Sequence, residues 1–141
     1  MLLRNFIITL GFLASSVSAQ AQMERTIYQV FTVDSTTAIN LDLAGLYEIH
    51  TWAGNSVLVE TNIQIWHASP EILTHLIETG RYDVQADTLS AEEITIKTKV
   101  RDRKPLKFKD VECTEIATAK VFVPDTFIVA EDKKRITREK Q

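Results

Sequence analysis

The chain has 141 residues, with 16 Lys and Arg against 19 Asp and Glu, three His and a single Cys. A formal charge of −3 supplies no global field for nucleic acid or an acidic membrane, and one cysteine excludes an internal disulfide framework. Once a leader is set aside, about 120 residues remain, enough for one core and too few for two.

The leader comes first in the chain. Arg4 gives a positive start, NFIITLGFLA (5–14) is an apolar stretch too short to span a bilayer, and SSVSAQAQ (15–22) is a small-residue run. Cleavage is expected after Ala19 or after Ala21, with Ala21 preferred. Residues 1–21 therefore read as a signal peptide, 22–130 as a single β-rich domain, and 131–141 as a charged, disordered tail. The product is expected to be exported, periplasmic or extracellular, with no transmembrane segment in the mature chain.

Period-two alternation then dominates. YQVFTV (28–33) and AINLDL (38–43) flank the turn residues DSTT, and Gly45 breaks the chain before LYEIHTW (46–52). With VLVETNIQIW (57–66), the last of these predicts a hairpin around Ala53-Gly54-Asn55-Ser56. A three-residue loop puts Tyr47, Ile49 and Thr51 on the face of Val59, Thr61, Ile63 and Ile65. It also sets His50 opposite Glu60, and Trp52 opposite Leu58.

Ser69 as N-cap, Pro70 at the first turn, an apolar stripe of Ile72, Leu73, Leu76 and Ile77, and Gly80 as a stop predict one helix over 70–79. So short a helix is marginal alone and must lay its stripe on a sheet. RYDVQA (81–86), EITIKTKV (93–100), a short strand at Leu106 and Phe108, IATAKVFV (116–123) and TFIV (126–129) complete the pattern. The expectation is a mainly β fold, a short β-solenoid or a β-sandwich-like domain, with one helix packed on the sheet.

Candidate chemistry is sparse. Glu71, His75 and Glu78 share a helix face and His67 lies just before the cap, but HExxH is absent and His-x7-His is not a zinc spacing. These read as a solvated helix face. A cross-strand His50–Glu60 pair lacks a nucleophile or second carboxylate, and there is no GxSxG elbow or glycine-rich phosphate loop. No catalytic residue, metal ligand or cofactor site is assigned. Cys113 reads as a buried small hydrophobe or an exposed thiol able to link two chains.

Two features suit contact with a ligand. Trp52 and Trp66 fall on the polar face of their strands, a platform for carbohydrate or protein unless the helix or a second sheet covers it. Lys97, Lys99, Arg101 and Arg103 alternate along one side, which suits an anionic polymer or simply blocks aggregation at a strand edge.

The stretch from Phe31 to Val84, followed by EITIKTKV, resembles a family of secreted bacterial β-rich proteins of adhesin and autotransporter-adhesin head type, many from Bacteroidota. The pattern is a strand, an I-x-L-x-L strand, a Y-x-I-x-x-W-x-G-N-x-V-x-V-E segment, a short helix and further strands. It falls on Tyr47, Ile49, Trp52, Gly54, Asn55, Val57, Val59 and Glu60. The resemblance implies a β-rich domain and carries no functional residues. The expected function is a noncatalytic, exported envelope or surface interaction module whose partner is an envelope protein or glycan. A binding protein for an anionic or glycan polymer is the alternative, and a small metal-dependent hydrolase comes third.

Overall fold

The computed structural model describes residues 22–140. The signal peptide expected over 1–21, with its expected cleavage positions, lies outside the described residues. Among the described residues no helix is long and apolar enough to cross a membrane.

The fold is mainly β, and of the two architectures expected the sandwich-like one fits. Its four-stranded sheet runs β1 (Met23–Thr32), β4 (Ser56–Trp66), β9 (Thr114–Pro124), β3 (Tyr47–Trp52). The five-stranded sheet runs β10 (Phe127–Val129), β11 (Arg135–Arg138), β2 (Ala38–Asp42), β6 (Glu93–Thr98), β5 (Val84–Thr88). β7 (Lys107–Phe108) and β8 (Val111–Glu112) form a small separate ribbon.

β4 organises the core. Its burial alternates along its whole length, with Val57, Val59, Thr61, Ile63 and Ile65 pointing inward. Val57 and Val59 join Val121 and Val123 of β9 against Ile39, Leu41, Ile96, Phe127 and Ile136 of the five-stranded sheet. Further along the same face, Ile63 and Ile65 are covered instead by Leu73 and Leu76 of α1 (Pro70–Glu78), together with Tyr82 and Cys113. One sheet face is thus roofed in two halves, by a sheet and then by a helix.

The helix forms as its sequence dictates. Ser69 Oγ accepts the Ile72 N–H at 3.2 Å, and Pro70 occupies the first turn. At the other end Gly80 has φ +80°, and the Arg81 N–H closes back on Leu76 O at 3.1 Å, a left-handed stop that favours glycine.

Two expectations are corrected. β3 and β4 do not form a hairpin: β9 is inserted between them, parallel to β3 and antiparallel to β4. The two strands still share an inner face, because one intervening strand in register leaves the alternation unchanged. His50 therefore stands beside Phe122 rather than Glu60, and Trp52 beside Pro124 rather than Leu58. The region expected as a disordered tail contains β11, which pairs with both β10 and β2 and buries Ile136 completely.

Candidate functional site

The helix and the five-stranded sheet both cover the inner face of the four-stranded sheet, so its outer face is open. Strand register places Val30, Leu58, Phe122 and His50 side by side in one row across all four strands. The adjacent row is Tyr28, Glu60, Lys120 and Glu48. Tyr28 and Val30 are 62% and 63% exposed, although both lie mid-strand.

The end of the first row is built from rings. His50 stacks on Phe122 with centroids 5.4 Å apart, and Trp52 tilts against Phe122 at 6.1 Å. His50 Nε2 lies 3.1 Å from Glu48 Oε2. Trp52 is fixed by an indole N–H donated to Ser56 O at 2.9 Å, while its ring lies over Gly54. A Cβ on Gly54 would come within 2.5 Å of that ring, so the turn residue and the tryptophan require one another. Polar side chains continue the face: Asn62 Nδ2 donates to Glu24 Oε1 at 2.7 Å, beside Gln64 and Thr118.

The two tryptophans do not make one platform. Trp66 ends β4 beside Thr114, whereas Trp52 lies near the strand's other end, roughly 30 Å away at the rise of an extended chain. Phe122, Val30, Leu58 and His50 are the companions of Trp52. Their signal is a parity one: Phe122 sits out of step with the inward Val121 and Val123 and so must face outward with its ring.

The basic row is dispersed. β6 ends at Thr98, so the alternation from Lys97 to Arg103 does not continue along one strand. Lys97 pairs with Asp87, and Arg101 with the Asp42 carboxylate and its carbonyl oxygen. Lys99 Nζ and the Asp83 carboxylate both lie close to Gly80, and the Arg103 guanidinium packs over the Tyr82 ring at 5.0 Å. Glu71, His75 and Glu78 are exposed, and among the described residues no three His, Cys, Asp or Glu side chains gather as a metal site. Cys113 is buried, and its Sγ donates to His67 O at 3.2 Å. Burial, reinforced by the charge of Glu115, pushes its thiol pKa up, which disfavours the thiolate.

The strongest electrostatic constellation is internal. Arg81 grips Glu115 with two bonds, Nη2 to Oε1 at 2.6 Å and Nε to Oε2 at 3.2 Å, and Tyr82 Oη donates to Oε2 at 2.6 Å. Burial pushes the Glu115 carboxyl up, but the bonds from Arg81 and Tyr82 and the charges of Arg81 and Arg103 outweigh it and hold the carboxyl below its ordinary value. With every oxygen engaged, this group ties the start of β9 to the end of the helix.

No family model, curated protein or solved structure matches the chain.

Proposed function

We propose that the protein is a noncatalytic, exported interaction module of adhesin-like type, and that it contacts neutral glycan of the cell envelope or surface through the outer face of its four-stranded sheet. The observation that carries this reading is the open row of Val30, Leu58, Phe122 and His50, closed at one end by Trp52. Ring faces next to carboxylate and amide side chains suit a sugar, whose C–H faces stack while its hydroxyls take hydrogen bonds. Charge favours a neutral polymer: Glu24, Glu48 and Glu60 outnumber Lys120 on this face. An anionic polymer has weaker support, because Lys97 and Arg101 are already paired with Asp87 and Asp42.

The test is retention of the full chain on an array of neutral oligosaccharides, beside Phe122→Ser and His50→Ala. Retention lost in both variants, with unchanged urea midpoints, supports the reading. No retention on any neutral glycan, or equal retention by Phe122→Ser, sinks it. Binding to an acidic polymer that disappears in Lys99→Glu and Arg101→Glu would move the contact to the basic side instead.

A further inference from the structure

The inner face of the four-stranded sheet changes roofs near Thr61, and on the β9 side that point is flanked by the small side chains of Ala117 and Ala119. Thr61 on β4 and Ala117 and Ala119 on β9 form one wall of a narrow cleft, with Thr98, Tyr82 and Arg103 opposite. The cleft offers about 20 Å³ of free space. One water requires about 10–15 Å³, so the cleft has room for a water or a monatomic ion.

Two buried polar atoms border this cleft without a protein partner, Thr61 Oγ1 and Arg103 Nε. A third donor is within the same walls. Thr98 Oγ1 accepts the Ala44 N–H at 2.8 Å, which leaves its own hydroxyl proton free to donate. The charge balance points the same way. Arg81 takes both oxygens of Glu115 in a bidentate pair. Among the described residues Arg103 makes no ion pair, and its guanidinium instead lies over the Tyr82 ring. Two guanidinium groups therefore share one carboxylate, which leaves a positive charge beside the cleft.

We propose that this cleft binds a single monatomic anion, chloride under physiological conditions, held by Arg103 Nε–H and the hydroxyls of Thr61 and Thr98. All three groups can donate to an anion, and an anion also neutralises the guanidinium charge of Arg103, which a water does not. The ion would compensate Arg103 at the seam where the helix-covered and sheet-covered halves of the core meet, so binding would be read as stability.

Thermal unfolding of the full chain, titrated with sodium chloride against sodium gluconate at fixed ionic strength, tests the site. The midpoint should rise by a few degrees and saturate, as for a ligand at about ten times its dissociation constant. Bromide should substitute and sulfate should not. Thr61→Val keeps the side-chain volume and should abolish the increment, as should Arg103→Met; if Arg103→Met does not fold, Thr61→Val alone decides. Crystals grown in bromide should show an anomalous peak within hydrogen-bonding distance of Arg103 Nε. The proposal is overturned by a midpoint indifferent to halide, by Thr61→Val being more stable than the parent, or by an ordered water there in bromide crystals.

Discussion

Gln29 on β1 and Val84 on β5 are joined by a reciprocal pair of hydrogen bonds: Gln29 Nε2 donates to Val84 O at 3.0 Å, and the Val84 N–H donates to Gln29 Oε1 at 2.9 Å. The side-chain amide does for one rung what a neighbouring strand's peptide would do. β1 and β5 are edges of different sheets, so this pair ties the two layers along one side. On the other side Tyr47 Oη donates to Lys133 O at 2.8 Å.

Gln29→Leu keeps the bulk and removes both bonds, leaving two backbone groups of Val84 without these partners. The expected loss is about 1–3 kcal/mol in urea unfolding. Gln29→Glu should fall between, since a carboxylate still accepts from the Val84 N–H but cannot donate. A Gln29→Leu midpoint equal to that of the parent would show that the two layers need no such tie.

The Arg81–Glu115–Tyr82 group predicts the shape of the stability–pH curve on both sides. The folded Glu115 pKa lies below its unfolded value, so its contribution is present above the unfolded pKa and is lost as pH falls through the folded one. Tyr82 runs the other way. Burial and the Glu115 contact raise its phenol pKa far above 10, so its contribution is complete below pH 10 and erodes only in strong alkali. Glu115→Gln should cost about 3 kcal/mol at neutral pH, the lower end of losses for a broken buried pair. It should also flatten the acid arm, as read from denaturation midpoints between pH 2 and pH 7.

Gly54→Ala tests the fit between turn and tryptophan. The added methyl must displace the Trp52 ring, breaking its bond to Ser56 O, at a cost of roughly 1–3 kcal/mol for an overpacked site. In a Trp66→Phe background the fluorescence of Trp52 should shift to the red. An unchanged spectrum would mean that the ring does not rest on the turn.

Ile136 carries the C-terminal strand. Ile136→Ala should cost about 2–5 kcal/mol, the loss for a fully buried branched side chain. Removing residues 133–141 should unfold β10 from the five-stranded sheet, because β11 lies between β10 and β2. If the shortened chain melts with the parent, the strand is dispensable.

Alternation was readable wherever a strand buries one face along several residues, as β4 does, and the helix was readable from Ser69, Pro70 and Gly80 because capping is local chemistry. Neighbours were not. Period two assigns Ile49 and Val59 to the same face whether they touch or stand either side of Val121, so the faces were legible and the pairing was not. β11 escaped because it turns only one apolar side chain inward, Ile136 between Arg135 and Thr137, and a single residue has no period. β1 begins earlier than YQVFTV suggests because Arg25 occupies an inward position and interrupts the pattern, although its guanidinium reaches the helix at Thr74 Oγ1, 3.2 Å away. The ring row was half legible: Trp52 stood out by residue type, while Val30, Leu58 and Phe122 joined it only once the order of strands was known.

The late arrival of β9 sets the timing of assembly. A chain emerging from its N-terminus displays β3 and β4 long before Thr114 is made, and the short link between them invites direct pairing into the wrong ribbon. Reaching the native order means prising that ribbon open, or holding it apart, until a distant segment arrives. Such long-range closure is slow and leaves sticky edges bare in the meantime. Native pairing of β3 and β4 therefore waits on the last fifth of the chain, and a nascent chain stopped short of that point would be a natural client for a holding chaperone.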